Sequence, residues 1–248
     1  MNIIDFHCHL DINGSIDHLN AIQDKFGVDI SVIHPGFDDF RNLSTYHENI
    51  KNILREGTDT FKAFIGIDFK NKPEAIADIF HEIGASGVKI HPILQGIEIH
   101  NKEFMAPFMA VLKQLDAPVY VHTDHPGVPN YRKYRTLLKS RFGRFAKKFP
   151  DQGKLIMGHA GNNDSYLDAK HVFKLRGNTY VETSLAPVPS EFEKMINRVE
   201  GGENRILFGS NVPYCSFEVE LKKIHVLNIT EKQKQKILFE NAKRLLKL

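Results

Sequence analysis

Two histidines separated by a single residue, His7 and His9, end an apolar run near the start of the chain. Side chains alternate between the two faces of a β-strand, so both imidazoles should project to one side and Cys8 to the other. At strand spacing they would lie about 6 to 7 Å apart, within reach of one metal ion. Histidine is the commonest metal ligand. A pair of unrelated histidines is the alternative, and the spacing alone does not decide.

Further polar residues end other apolar runs in the same way. His122 lies in YVHTDH, His159 in LIMGHAG and Asn211 in FGSNVPY, and the chain carries 13 histidines in all. In a barrel of parallel strands, the carboxyl ends of all strands meet at one mouth, where active sites are found. The sequence therefore predicts that these scattered side chains converge on one site.

The elements that would position them are short β-rich runs alternating with amphipathic stretches, the pattern of βα units. The runs are residues 3–8, 30–34, 63–67, 87–91, 118–123, 155–159, 179–184 and 206–210. Helices are expected around residues 16–26, 43–55, 73–83, 103–115, 131–149, 166–175, 190–199 and 216–226, with a closing helix capped by Thr230 and Gln233.

Eight such runs favour an α/β fold with one (β/α)8 TIM-barrel domain over residues 1–248. The alternative is an open doubly wound sheet, which normally has a glycine-rich loop after its first strand. The segment HCHLDINGS contains one glycine, so the barrel is preferred.

Composition limits the class of protein. The 248 residues are 42% hydrophobic and 25% charged, which excludes disordered, collagen-like and coiled-coil chains. Cys8 and Cys215 are too few for a disulfide framework, and neither a signal peptide nor an apolar run of about 18 residues is present. A cytoplasmic protein without a membrane partner is expected. The net charge of +3 is too small to indicate a nucleic-acid partner, and the oligomeric state is not predicted.

The ordered set of motifs resembles the amidohydrolase superfamily, and within it the amidohydrolase-related branch of aminocarboxymuconate-semialdehyde decarboxylase-like proteins and lactone hydrolases. The motifs are DFHCHL, GVKIHP, PVYVHT, FPDQGKLIMGHAG, TYVETS, RILFGSNVPY and ILFENAKRLLKL. The resemblance implies that His7, His9 and His122 bind a divalent metal, usually zinc, with manganese as the alternative. It implies that His159 binds a second metal or acts beside the first by polarising the substrate or its water. One ion is favoured, and two are not excluded.

Lys89 matches a position where some relatives carry a lysine carbamate or a glutamate that bridges two metals. An unmodified Lys89 could instead hold a substrate carboxylate, or serve a purely structural role. His91 shares the face of Lys89 and is a candidate for the same bridging or substrate-binding roles. His34 and His125 are further candidates for the rim of the site.

Asn211 departs from the resemblance, because relatives normally have an aspartate there that contacts the metal or its water and accepts a proton. An amide cannot act as a carboxylate base near neutral pH. Three explanations fit: a different mechanism, a catalytically silent protein, or an aspartate replaced to trap substrate. The hypothesis is that Asn211→Asp increases turnover of the true substrate.

A basic run between residues 131 and 148 contains eight Lys and Arg residues and no acid. Arg132 and Arg135 directly follow the fifth predicted strand and could clamp a substrate carboxylate or phosphate. A solvated helix face is the alternative interpretation.

The sequence thus predicts a metal-dependent hydrolase that uses metal-activated water on a small, carboxylated ester, lactone or amide, with His159 and Asn211 in catalytic positions. The alternatives are a metal-dependent decarboxylase of the same superfamily, a TatD-type nuclease, and a silent metal-binding relative. Nucleases of that type normally have a glutamate where this chain has Lys89.

Overall fold

The computed structural model describes residues 1–56, 59–123, 141–161, 179–186 and 189–248. Eight parallel strands form one sheet in which each strand pairs with the next along the chain. They are β1 (Ile4–Cys8), β2 (Ile30–Ile33), β3 (Phe61–Gly66), β4 (Gly87–Ile90), β5 (Val119–Val121), β6 (Leu155–Met157), β7 (Thr179–Glu182) and β8 (Ile206–Leu207). Each overlaps one of the apolar runs. β3 begins two residues before the run at 63–67, and β8 is shorter than its run.

Helices lie between the strands and after β8. They are α1 (Asp17–Phe26), α2 (Leu43–Arg55), α3 (Ala75–Ile83), α4 (Lys102–Gln114), α5 (Arg141–Lys148), α6 (Ser190–Arg198), α7 (Phe217–His225), α8 (Glu231–Gln235) and α9 (Asn241–Leu246). The helix expected at residues 166–175 and the first part of that expected at 131–149 lie outside the described residues. No helix within the described ranges has both the length and the apolar composition that a membrane crossing requires.

Local signals in the sequence account for several helix ends. The Asn101 side chain accepts the Phe104 N–H at the start of α4, and Thr230 forms the expected capping box with Gln233 at the start of α8. The closing helix is divided, because a π turn over Lys236–Glu240 separates α8 from α9.

Backbone hydrogen bonds between the segment after β8 and β1 close the barrel. Phe6 N donates to Phe208 O at 2.8 Å, Asn211 N to His7 O at 2.7 Å, and His9 N to Val212 O at 2.8 Å. The predicted (β/α)8 barrel is confirmed. The same bonds fix the backbone of residue 211 against the strand that carries the paired histidines.

Two layers of core follow from the alternation of side chains along the strands. Val88, Val119 and Leu155 belong to a large cluster between the strands and the helices. Tyr120 and Ile156, register partners on β5 and β6, belong to a smaller cluster inside the barrel. Polar residues that reach the site from the strands therefore lie above an apolar floor.

A register shift in β1 between Asp5 and Cys8 changes this alternation beside the site. Phe6 packs edge-on against Phe64, with ring centroids 5.5 Å apart, and His7 packs on Tyr120 at 4.7 Å. Strict alternation would send consecutive residues to opposite faces. The irregularity turns both rings into the barrel, a usual effect of a β-bulge next to a functional site.

Candidate metal centre

The four histidines expected to bind metal lie together at the carboxyl ends of β1, β5 and β6. Ring centroids are 4.8 Å apart for His7 and His9, 5.0 Å for His7 and His159, and 4.8 Å for His122 and His159. His7, His9 and His159 are buried. The barrel therefore brings together histidines that are separated by up to 152 positions in the chain, from His7 to His159.

His9 and Asn211 face each other through two hydrogen-bond acceptors. His9 Nδ1 lies 2.8 Å from the carbonyl oxygen of His34, so it carries the proton and leaves a lone pair on Nε2. That Nε2 lies 3.0 Å from Asn211 Oδ1. Burial holds the pKa of His9 well below its usual range, so the ring is neutral near pH 7. Two facing acceptors at this distance are suited to a cation bound between them.

The backbone around Asn211 is held in an unusual conformation. Its φ is 56°, in the left-handed region that asparagine adopts more readily than most residues. The preceding residue, Ser210, donates its N–H and its hydroxyl to the buried Asp5 carboxyl group at 2.8 and 2.5 Å. Burial raises the pKa of Asp5 to about 7. Asp5 thus anchors the segment that presents the Asn211 amide to His9.

His159 also presents its Nε2 toward other site residues. Its Nδ1 lies 2.8 Å from Ser184 Oγ, and that hydroxyl donates to Glu182 Oε2 at 3.0 Å. Ser184 must therefore accept the proton of His159 Nδ1, which leaves a lone pair on Nε2. Burial lowers the pKa of His159 to about 4. The backbone of His159 has a φ of 56°, and its N–H donates to Glu182 Oε2 at 3.1 Å.

His122 supplies a lone pair without a partner among the described residues. Its Nδ1 lies 3.2 Å from the bare Nε2 of His159, so Nδ1 is the donor of that hydrogen bond. The remaining nitrogen, His122 Nε2, is buried and has no described partner. A neutral imidazole nitrogen of this kind is a metal-ligand atom. His122, His9 and Asn211 line the same pocket, and their imidazole nitrogens and amide oxygen are donor types that divalent metals bind.

Glu182 was missed by the sequence interpretation and lies fully buried beneath these histidines. It accepts hydrogen bonds from Tyr120 Oη at 2.8 Å and from Ser184, and its Oε2 lies 3.3 Å from His7 Nδ1. Single ligand atoms of His7, His159 and Glu182 lie within 4.8 Å of one another, so these three could also hold a metal. An ion bound there would displace the hydrogen bonds that Glu182 already accepts from Tyr120 and Ser184. The contacts fit better an outer carboxylate that orients metal-binding histidines.

Lys89 lies buried between His7 and the loop after β2. Its Nζ is 3.1 Å from His7 Nε2 and 3.0 Å from the Pro35 carbonyl oxygen. Burial lowers the pKa of this amine to about 7. The contact with His7 Nε2 places the proton of His7 on Nδ1, toward Tyr120 and Glu182. Lys89 therefore belongs to the site.

A pocket of about 160 Å³ opens above these groups. Its polar lining consists of His9, Lys89, His91, His122, His159 and Asn211, and Phe37, Leu185 and Tyr214 line it as well. No carboxylate is among the described residues that line it. Gly36 allows the close approach of the two loops above His9, because a Cβ there would lie 2.7 Å from Tyr214 Oη. The pocket has the size and chemistry for a small ligand.

Comparison with known proteins supplies the family. A family model for amidohydrolases matches residues 4–248. The chain belongs to the amidohydrolase family. Members of this family are metal-dependent enzymes, in agreement with the ligand atoms in the barrel mouth. A comparison with curated proteins found no match.

Solved structures similar to this amidohydrolase include decarboxylases and a hydrolase. A 2,6-dihydroxybenzoate decarboxylase from Rhizobium is 15% identical with a TM-score of 0.77, over 99% of this chain and 98% of that one. A dihydroxybenzoic acid decarboxylase from Polaromonas with bound manganese and 2-nitroresorcinol is 15% identical with a TM-score of 0.77, over 100% of this chain and 96% of that one. A probable 2-pyrone-4,6-dicarboxylic acid hydrolase from Acinetobacter baumannii with bound citric acid is 15% identical with a TM-score of 0.74, over 100% of both chains. At these identities the likeness shows the shared barrel fold.

Other residues singled out in the sequence of this amidohydrolase lie elsewhere. His34 was expected at the rim, but it is fully buried: its ring stacks on Phe64 at 4.3 Å and its Nε2 contacts the Phe6 carbonyl oxygen at 2.9 Å. It supports His9 from below because its own carbonyl oxygen accepts a hydrogen bond from His9 Nδ1. Arg132, Arg135 and His125 lie outside the described residues.

Proposed function

We propose that this amidohydrolase hydrolyses a small carboxylated ester, lactone or amide next to one divalent metal ion, with zinc preferred and manganese as the second choice. The observation that carries the proposal is that one pocket contains both hydrogen-bond acceptors and a donor. The acceptors are lone pairs on His9, His122 and Asn211. Lys89, a hydrogen-bond donor, enters from β4.

The acceptors would hold the metal. Nε2 of His9, Nε2 of His122 and Oδ1 of Asn211 are the candidate ligand atoms, with His7 and His159 beside them. Neutral imidazoles are typical ligands of catalytic zinc. A bound zinc ion polarises a carbonyl group and lowers the pKa of bound water to about 7. One ion is proposed because the Lys89 amine already contacts His7 Nε2 and the Pro35 carbonyl oxygen, where a bridge between two ions would have to lie.

The donor Lys89 would hold a substrate carboxylate. In its protonated form the Lys89 amine has three N–H donors, and those that contact His7 and Pro35 account for two. The third is available to an oxygen in the pocket, which Lys89 lines. Since no carboxylate is among the described lining residues, none of them would repel an anionic substrate.

The proton acceptor is assigned to His159, because the amide of Asn211 cannot take that role. His159 Nε2 lies at the pocket and accepts a hydrogen bond from His122 Nδ1. During attack by water it would exchange that bond for one from the water and accept its proton. Ser184 and Glu182 hold the opposite nitrogen and stabilise the protonated ring.

The test is hydrolysis of a panel of carboxylated lactones, esters and amides by zinc-loaded protein in ¹⁸O-labelled water. The proposal predicts one ¹⁸O atom in the product and a kcat at least about 100-fold lower in His159→Gln, the contribution typical of a general base. His225→Gln, an exposed histidine on α7, is the matched control and should retain wild-type kcat. Equal rates in the wild type and His159→Gln would contradict the assignment.

Decarboxylation is the second candidate, and the same pocket supports it. Lys89 could hold a carboxylate that is lost as CO₂, and the amide at residue 211 removes the carboxylate base that hydrolysis normally uses. The same panel, extended with 2,6-dihydroxybenzoate, separates the two reactions. CO₂ release without ¹⁸O incorporation would favour decarboxylation over hydrolysis.

A further inference from the structure

We propose that His91 is a substrate-binding residue that donates a hydrogen bond from Nε2, and that it neither binds nor bridges metal. This inference deepens the proposed function and rests on it for the carboxylated substrate. It assigns a role to a residue for which the sequence left metal bridging and substrate binding both open.

The hydrogen bonds around His91 fix the position of its proton. The N–H of Leu94 points at His91 Nδ1 over 3.3 Å, so Nδ1 is an acceptor. A neutral imidazole with an acceptor at Nδ1 carries its proton on Nε2. Burial and the neighbouring Lys89 charge hold the pKa of His91 well below its usual range, in agreement with a neutral ring.

The turn that supplies the Leu94 N–H is itself held in place. The N–H of His91 donates to Gln95 Oε1 at 2.6 Å, and the N–H of Gln95 donates to the His91 carbonyl oxygen at 3.0 Å. Gln95 Nε2 donates to the Ile67 carbonyl oxygen at the end of the neighbouring strand β3. The bonds that orient the ring are thus tied to the barrel.

His9 and His159 carry their protons on the opposite ring nitrogen. His9 and His159 both donate from Nδ1 to acceptors of the protein and keep the Nε2 lone pair for the site. His91 keeps a proton on that nitrogen. A ring with its lone pair used by a backbone N–H and a proton on the other nitrogen offers nothing to a cation.

Ring stacking gives a second, independent argument. His91 lies on His122 with ring centroids 3.9 Å apart and an interplanar angle of 15°. Nitrogen lone pairs lie in the plane of the imidazole ring. An ion bound in the plane of His122 is therefore out of the plane of His91, and the two rings cannot both bind it.

Lys89 and His91 together would grip an anionic group. They lie two residues apart at the end of β4, and both line the pocket. A carboxylate has two oxygens, one for Lys89 Nζ and one for His91 Nε2, and the bond to the ammonium group is charge-assisted. The group that Lys89 and His91 bind is therefore a carboxylate or a similar oxyanion.

The proton position can be measured without a substrate. Two-dimensional long-range ¹H–¹⁵N spectra of protein labelled at histidine, with the His91 signals assigned by their loss in His91→Phe, distinguish the two tautomers. We expect a protonated Nε2 and a bare Nδ1 for His91. A proton on Nδ1 of His91 would overturn the inference.

The role in binding is tested on zinc-loaded protein with 2,6-dihydroxybenzoate and its uncharged analogue resorcinol as probes in titration calorimetry. His91→Phe keeps an aromatic ring for the stack but removes the donor, whereas His91→Gln restores an N–H. We expect His91→Phe to bind zinc like the wild type and 2,6-dihydroxybenzoate about 10- to 100-fold more weakly, in the range for a hydrogen bond to a charged group. Resorcinol should bind both proteins alike, and His91→Gln should regain most of the lost affinity.

The control is His81→Phe on the exposed face of α3, which should leave all affinities unchanged. Loss of zinc from His91→Phe, equal carboxylate affinity in His91→Phe and the wild type, or a wild type that does not prefer the carboxylate to resorcinol would each overturn the inference. Absence of hydrolysis across the substrate panel, with the His91-dependent preference intact, would refute the proposed reaction and uphold the role of His91.

Discussion

His9 Nε2 and Asn211 Oδ1 face each other at 3.0 Å, although 202 positions separate them in the chain. Each is an acceptor, and each is held in place from behind. His34 fixes the proton on the far side of the His9 ring, and the Asn211 amide nitrogen points to Cys215 Sγ at 3.6 Å. The closure of the barrel between β8 and β1 thus creates a pair of atoms suited to a cation.

Replacement of Asn211 by aspartate should strengthen this pair. A carboxylate adds a negative charge beside the cation, and aspartate tolerates the left-handed φ of 56° at this position. We expect Asn211→Asp to bind zinc at least about tenfold more tightly, because opposite charges at contact distance attract strongly inside a protein. Competition with a chromogenic zinc chelator measures the affinity.

The same variant tests the catalytic hypothesis, since it restores a carboxylate base beside the metal. Turnover should rise in Asn211→Asp on any substrate that the wild type binds. Asn211→Ala serves as the comparison, because it removes the oxygen ligand and should weaken zinc binding. An aspartate variant that is fully loaded with metal but no more active would refute the hypothesis.

Glu182 lies beneath the metal site and should increase its affinity for zinc. Since it contacts His7 and His159 through Tyr120 and Ser184, we expect Glu182→Gln to weaken zinc binding by roughly 10- to 100-fold, the range for an outer partner of a metal ligand. Glu220→Gln is the control, because Glu220 is also buried but pairs with Lys223 on α7. Complete loss of zinc from Glu182→Gln, with the fold intact by circular dichroism, would instead identify Glu182 as a ligand.

Gly209 leaves the space that Glu182 and His7 occupy. A Cβ at residue 209 would collide with the Glu182 carboxylate and lie 2.8 Å from His7 Cβ. We expect Gly209→Ala to lower the free energy of unfolding by about 1–3 kcal/mol, the usual cost of overpacking, and to weaken metal binding. Gly153→Ala, where the nearest atom is 3.9 Å away, should be nearly neutral in urea denaturation. Equal stability of the two variants would show that the strand end can move aside.

Acid should destabilise the metal-free protein. Burial lowers the pKa of His159 to about 4, and it lowers the pKa values of five other site histidines, which are His7, His9, His34, His91 and His122. Unfolded histidines bind protons below about pH 6.5, whereas these folded ones do not. The unfolded state therefore gains protons first, and the free energy of unfolding falls from about pH 6.5 toward 4.

Asp5 opposes this trend because its pKa is raised to about 7, so the folded state holds its proton more tightly. Burial also raises the pKa values of Asp39 and Glu220. The six buried imidazoles outnumber these three carboxyl groups, so the net effect should be destabilisation. Urea denaturation of chelator-treated protein at pH 7.5, 5.5 and 4.5 measures it. Constant stability over that range would mean that the histidines are less buried than the structure shows.

The sequence predicted the barrel and the positions of the metal-binding candidates because strand ends can be located from apolar runs. His122 lies near the end of the run 118–123 and His159 ends the run 155–159, and parallel strands carry their ends to one mouth. Glu182 was overlooked although it lies within the strand segment TYVETS. A carboxylate in an otherwise apolar barrel strand is the signal that could have identified it.

Other features depend on contacts that no local pattern encodes. The bulge in β1 turns both Phe6 and His7 inward, whereas alternation predicts opposite faces. His34 is buried because its ring fits against Phe64. The proton of His91 is set by the backbone N–H of Leu94, and such a contact depends on the conformation of the turn.

The central claim is a single divalent metal held by the acceptor atoms of the pocket, with His9 Nε2 and Asn211 Oδ1 among them. The most direct measurement is anomalous diffraction at the zinc absorption edge from crystals of zinc-loaded protein. The account predicts one peak, at about 2.0–2.1 Å from His9 Nε2 and close to Asn211 Oδ1, with Lys89 unmodified. A peak between His7, His159 and Glu182, or two peaks bridged by Lys89, would contradict it.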